Sequence, residues 1–261
     1  ARQIIFSGPG KTRAELRLAA DNNDRVTVLL DSRGELSRLS AIAKAKDRTI
    51  RVGLRLNHNP QGLWRKFGIL LEELEPLYHQ ISESSHLTFS GLQFHSSWNL
   101  DPQHQTDFIR ILGNHLKSMP DQFLDDLRFL DVGGGYWPPQ GEWLVSGNPL
   151  EHRWIEAAPI EIFAKSLAQS FETHIFPLKQ CRICFEPGRW ICNDAMHLLL
   201  QVVDCKTDDL VITDAGTNAI GWERFETDYF PVLNLTQALA VEKPCHIMGS
   251  LCTPHDVWGY A

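Results

Sequence analysis

Hydrophobic positions along the chain fall into short apolar runs separated by stretches with helical spacing. Ile4–Phe6, Val26–Ser32, Ile50–Leu56, Leu92–His95, Phe129–Val132 and Ile183–Glu186 read as six buried strands. Between them, Lys11–Asn22 carries Ala14, Leu16, Leu18 and Ala19 at helical positions. Ser32 is placed to cap a second helix, with Glu35 as capping-box partner and an apolar face of Leu36, Leu39, Ile42 and Ala43. Leu70–Ser82 reads as helix, with Pro76 as a break or new start. Gln103–Met119 follows, with Phe108, Ile111, Leu112 and Leu116 on one face, and Leu150–Thr173 is mostly helix interrupted at Pro159. Alternation of strand and helix predicts βα units on a parallel sheet.

After Asn193 the rhythm changes. Leu198–Val203, Leu210–Asp214, Val232–Leu235 and His246–Leu251 read as strands with no helix between them. The expected organisation is therefore an α/β region over 1–193 and a β-rich region over 194–261.

Composition narrows the function classes. The chain has 261 residues, 43% of them hydrophobic, enough for a large core. A net charge of -7 without a long basic block argues against nucleic acid as the main partner. The apolar runs fall short of the roughly 20 residues a membrane span needs, and Ala1–Ile5 leads straight into a strand-like run rather than a signal peptide. Six cysteines in this length do not make a disulfide scaffold, so a reduced, cytoplasmic setting is expected.

The chemistry gathers at strand exits. Phe129–Val132 runs into Gly133, Gly134 and Gly135, where several amides can converge on an anion. A short glycine run also reads simply as a tight turn. The other exits carry Arg55, His95 and Glu186-Pro187-Gly188-Arg189. In parallel barrels such exits collect catalytic groups. His95 alone reads equally as a structural hydrogen-bonder, and Glu186 with Arg189 as a structural pair. Cys181 and Cys184 have metal-like spacing but no second pair nearby, so core packing is preferred and no metal is assigned.

Taken together, these motifs resemble the fold-type III pyridoxal-phosphate decarboxylases, the ornithine, diaminopimelate and arginine decarboxylase group. Lys66-Phe67-Gly68, Gly91-Leu92-Gln93-Phe94-His95, Asp131–Gly135, Glu186–Arg189, Asp214-Ala215-Gly216 and Gly249–Asp256 follow the family's motif order. The resemblance implies a (β/α)8 TIM-type barrel, with about six of its eight strands in this chain, followed by part of a C-terminal β-domain. It implies pyridoxal 5'-phosphate, with the phosphate on Gly133, Gly134, Gly135, Gly188 and Arg189. Glu186 is implied to bond the pyridine nitrogen, His95 to stack on the ring, and Arg55 to support the cofactor side. Cys252 is implied as proton donor reaching a neighbouring subunit's site in a homodimer, with Asp256 in the same substrate-facing wall.

The sequence departs from that pattern in two ways. No segment matches the family's Schiff-base lysine strand, and Lys11 lies in a match to a different segment, so the chain is expected to be an internal part of a longer protein. Thr253 stands where diaminopimelate and ornithine enzymes carry an acid, which suggests an amino-acid conjugate rather than a substrate with a free distal ammonium. Trp98 is large enough to reshape the pocket, and Arg224 is a candidate for a substrate carboxylate. The expected reaction is decarboxylation of an amino acid or conjugate. The alternatives are a racemase of the same fold, disfavoured by Glu186, and a non-catalytic homologue without the lysine.

Overall fold

A computed structural model describes residues 2–138, 142–145, 152–192, 195–220, 228–229, 232–241 and 243–260. In chain order the main elements are β1 (Ile4–Phe6), α1 (Arg13–Asp21), β2 (Val26–Leu30), α2 (Arg33–Lys46), β3 (Ile50–Leu56), α3 (Leu74–Ser82), β4 (Leu87–Phe94), α4 (Gln103–Leu116), α5 (Asp121–Asp126) and β5 (Phe129–Gly134). They continue with β6 (Glu142–Val145), β7 (His152–Ile155), α6 (Ile160–His174), β8 (Arg182–Glu186), α7 (Gly188–Cys192), β9 (Val202–Thr207), β10 (Leu210–Thr213), β11 (Asp228–Tyr229), β12 (His246–Met248) and β13 (Val257–Tyr260). Two compact units result: 1–137 with 158–190, and 138–157 with 191–261.

In the first unit six parallel strands lie in the order β1-β2-β3-β4-β5-β8, the six that the sequence predicts. Alternation along them sorts residues onto two faces. Val52, Leu54, Leu56, Leu92, Phe94, Leu130 and Val132 pack into one core with Leu36, Leu39, Ile109, Leu112, Phe163 and Leu167 of the helices. The opposite face carries a close-packed row, Leu29, Gly53, Gly91 and Phe129, in register across β2 to β5. A Cβ at Gly91 would strike the Phe129 ring, so glycine is what lets that ring cover its neighbour strand.

The helix starts follow local chemistry. Thr12 caps α1 in a full capping box with Glu15. Ser32 caps α2 by accepting from the Glu35 N–H at 3.1 Å. The expected reciprocal bond is not made, because Glu35 is buried and accepts instead from the Asp31 N–H at 2.8 Å and from Lys11. Pro76 sits in the first turn of α3, where its missing N–H is not needed.

Several expectations are corrected. Leu150–Thr173 is not one interrupted helix: 152–155 form β7, and α6 begins only after Pro159, whose extended backbone occupies the cap position. Ile111 is exposed on α4, and Ile109, two positions earlier and about 200° round the helix, is buried instead. In the second unit the strand expected over Leu198–Val203 lies at Val202–Thr207, so that a tight turn at Asp208–Asp209 returns it antiparallel to β10. Val232–Leu235 forms no strand. The apolar character of Leu233 and Leu235 serves no core there, since both are exposed. Strands β13-β12-β10-β9 form one sheet and β11-β6-β7 another. Among the described residues no helix is long and apolar enough to cross a membrane.

Candidate active site

Two residues beyond the glycine row, the inward face of the first unit turns polar. Arg55, Gln93, Asp131 and Cys184 stand in register across β3, β4, β5 and β8. Asp31, at the exit of β2, extends this belt, with its carboxylate 3.9 Å from the Arg55 guanidinium. Arg55 is buried, lies 4.5 Å over the Phe67 ring, and keeps an unpartnered Nε. Burial lowers its pKa from the ordinary arginine value, against the charges of Asp31, Glu186 and Asp131.

The next layer holds His95, the glycine turn and Glu186. Gly133 and Gly135 have φ of 68° and 71°, the left-handed region that glycine enters without strain. The turn also demands glycine for space. Side-chain carbons there would strike the His95 ring from Gly133, the Glu186 carbonyl from Gly134 and the Ser96 carbonyl from Gly135. The Gly133 N–H donates to Asp131 Oδ1 at 2.9 Å and the Gly134 N–H to His95 Nδ1 at 3.1 Å. The Gly134 carbonyl accepts from Asn99 Nδ2 at 2.9 Å.

Glu186 ends β8 with its side chain 39% exposed, and Gln93 Nε2 donates to its Oε1 at 3.3 Å. Its Oε2 lies 3.6 Å from His95 Nδ1. That nitrogen serves the Gly134 N–H as acceptor when the imidazole is neutral, and can donate toward Glu186 only when protonated. His95, ahead of Asp131 and Gln93 as hydrogen-bond partners, holds the Glu186 carboxyl below its ordinary range against burial. Asp131 behaves oppositely: burial first, then the Glu186 charge, push it up to about 7. Between the ordinary carboxylate range and about pH 7 the pair is therefore one anion, Glu186, and one neutral acid, Asp131.

Arg189, in the first turn of α7, lies 4.0 Å over the Trp137 ring and 5.3 Å over Trp98. The two indoles stack at 4.7 Å, and Trp98 reaches this position with φ of 62°. Lys11 is buried and donates to the Gly8 carbonyl at 2.6 Å, the Leu29 carbonyl at 2.7 Å and Glu35 at 3.2 Å. Those bonds make it a structural knot beneath β2. Cys181 and Cys184 are half-buried, with burial raising both thiols, Cys181 to about 11.

In the second unit Cys252 is exposed on the loop between β12 and β13. Asp256 is buried and accepts from the Thr217 N–H at 2.7 Å, the Thr217 hydroxyl at 2.9 Å and the Leu251 N–H at 2.7 Å. It holds the Cys252 loop closed. Arg224 lies outside the described residues.

The family described as pyridoxal-dependent decarboxylase, pyridoxal binding domain, matches residues 1–193. The chain belongs to that family. It is 27% identical to the diaminopimelate decarboxylase of Campylobacter jejuni over 278 residues, covering 100% of this chain and 64% of that protein. It is 25% identical to the 2-[(L-alanin-3-ylcarbamoyl)methyl]-2-hydroxybutanedioate decarboxylase of Staphylococcus aureus, covering 99% of this chain and 66% of the relative. A crystal structure of Helicobacter pylori diaminopimelate decarboxylase complexed with L-lysine superposes with a TM-score of 0.77 at 25% identity, over 98% of this chain and 63% of that one. The chain thus spans just under two thirds of these relatives. Its fold is that of the barrel-plus-β-domain decarboxylases, with six of the barrel strands in this chain.

The family's cofactor can be tested against the residues present. An ionised, accessible carboxylate at Glu186 suits a protonated ring nitrogen, and an imidazole stands beside it. The glycine turn leaves no side chain between that carboxylate and the β4 exit. The donor set fits pyridoxal phosphate. Sequence reasoning did not single out Gln93, Asp131 or Asp31, although the in-phase alternation from Arg55 carried the signal for Gln93.

Proposed function

We propose that a protein containing this chain is a pyridoxal-phosphate-dependent decarboxylase of an amino acid or amino-acid conjugate. The observation that carries this reading is Glu186, a low-pKa carboxylate at a strand exit beside His95 and the glycine turn, in a chain of this family. The chemistry supplied by bound cofactor is an electron sink for the pair left when the carbon–carboxylate bond breaks. Glu186 would be the partner for a protonated ring nitrogen, and Asp131 and Gln93 keep Glu186 oriented. His95 would be the residue beside the ring, and its Nδ1 is fixed by Gly134. Gly133, Gly134, Gly135, Gly188 and Arg189 take the phosphate side, and Arg55 braces the pocket from beneath. Cys252 supplies the proton to the carbon that lost carbon dioxide.

We further propose that residues 1–193 form the cofactor domain and 194–261 the β-rich domain, that the protein is a cytoplasmic homodimer, and that Asp256 faces substrate as well as bracing its loop. The dimer is supported by the exposed Leu198, Leu199, Val202 and Val203. Its reducing location rests on six free cysteines. Carbon dioxide release from amino acids and their citryl or acyl conjugates, measured on the full-length protein with cofactor, tests the activity. Glu186→Gln is expected to abolish most of it; racemised substrate without carbon dioxide would overturn the reading.

A further inference from the structure

At the exits of β3 and β4 a hollow of about 230 Å³ is lined by His58, Asn59, Trp64, Ser96, Ser97 and His104. It lies beside the site described above, since the Trp64 ring is 6.5 Å from that of His95. The lining contains no carboxylate and no aliphatic side chain. Two imidazoles, the Asn59 carboxamide and the Ser97 hydroxyl can present N–H or O–H groups inward. Ser96 is buried and directs its hydroxyl to Asn99 Oδ1 at 3.0 Å. Among the described residues, the His58 and His104 rings have no hydrogen-bond partner. His58 is held only by ring contacts to Phe108 at 5.8 Å and Trp64 at 6.3 Å.

Arg55 and His95 face His58 from β3 and β4, and His104 faces it from α4. The acid nearest His104 is Asp107, whose carboxylate is engaged by Gln103 at 2.7 Å and Arg110 at 3.2 Å. A half-buried pocket with two imidazoles free of hydrogen-bond partners, the Arg55 guanidinium nearby and no carboxylate in its lining suits an anion better than an ammonium group.

We infer that this hollow is a subsite for a carboxylate on the distal part of the substrate, recognised by His58 and His104. Resting on the proposed decarboxylase reading, this deepens it: the substrate carries a second, acidic end.

Calorimetric titration of the full-length, cofactor-loaded protein with citrate tests the subsite without turnover, so it stands or falls separately from the activity. Inorganic phosphate and putrescine serve as comparison ligands. Citrate is expected to bind and to be preferred over both. Loss of two hydrogen bonds to a charged group in the double variant His58→Leu with His104→Leu should weaken it by about tenfold or more. Each variant's melting profile is checked against wild type, and the single variant His104→Leu, at an exposed position, guards against a folding defect at His58. Equal citrate affinity in wild type and folded variants, tighter binding of putrescine, or binding of phosphate alone would each overturn the inference.

Discussion

Gly134 pairs with Glu186 across β5 and β8, so closely that a Cβ on the glycine would collide with the Glu186 carbonyl oxygen. The glycine turn therefore sets the position of the carboxylate as well as offering amides. Gly134→Ala should force the strands apart and cost about 1–3 kcal/mol in urea unfolding. Gly188 has open space around its Cβ position and begins a helix, so Gly188→Ala should be neutral or stabilise by up to about 1 kcal/mol. Equal effects of the two substitutions would show that close packing is not why glycine stands at 134.

The split carboxyl pair predicts a pH dependence. Native Asp131 keeps its proton up to about 7, while the unfolded side chain loses it near 3.8. Between those values the native state binds more protons, so its contribution to stability falls as pH rises. Glu186 has the opposite sign: its lowered pKa gives stability that is lost as pH drops below its ordinary 4.5. In protein freed of cofactor, Asp131→Asn keeps an acceptor for the Gly133 N–H and should flatten the decline between pH 5 and 7. Urea midpoints at those two pH values read it directly; identical slopes in wild type and variant would refute the assignment.

How much of this was legible in the sequence differs between the two units. The central strands β2 to β5 could be read because each is a mostly apolar run largely buried on both faces, and propensity and tertiary demand agree; β1 and β8, at the sheet's edges and more exposed, were legible from their short apolar runs alone. Along α4 the reading took Ile111 for Ile109, since the two flank the Phe108, Leu112 and Leu116 line on opposite sides and periodicity does not say which flank meets the core. Val232–Leu235 looked like a strand but has no partner strand or core to bury it, and side-chain propensity alone does not make a sheet. Glu186 and His95 were visible as polar ends of apolar strands. The belt of Asp31, Gln93 and Asp131 was not, because its members meet only through the parallel register of four strands distant in sequence. The hollow at His58 and His104 was hidden for the same reason: those residues follow different strands.

Lys11 gives a second stability test. Its ammonium and the Glu35 carboxylate are both buried, and Glu35 Oε1 already lacks a partner. Lys11→Met would leave that carboxylate buried without a countercharge, at a cost of about 3–5 kcal/mol. Adding Glu35→Gln removes the charge while keeping the acceptor for the Asp31 N–H, and should recover a large part of the loss. Denaturant midpoints of the two variants decide it. A double variant no more stable than Lys11→Met would mean that the pair is not what Lys11 supplies.

Asp256 makes the corresponding argument for the second unit. Its carboxylate takes two backbone N–H groups and a hydroxyl, from Thr217 and Leu251, in a position with 1% exposure. Gly249 and Gly216 crowd against it so closely that a Cβ at either would strike the carboxylate. Asp256→Ala strands those donors, which should cost about 2–4 kcal/mol. The loop from Gly249 to Asp256 that carries Cys252 should then open to limited proteolysis well before the rest of the chain. Asp256→Asn retains one carbonyl oxygen, which can serve Thr217 or Leu251 but not both because the two bond opposite oxygens of the carboxylate, so its loop should be cut at an intermediate rate. Cleavage rates that do not rank alanine above asparagine above wild type would show that the loop is held by something other than this carboxylate.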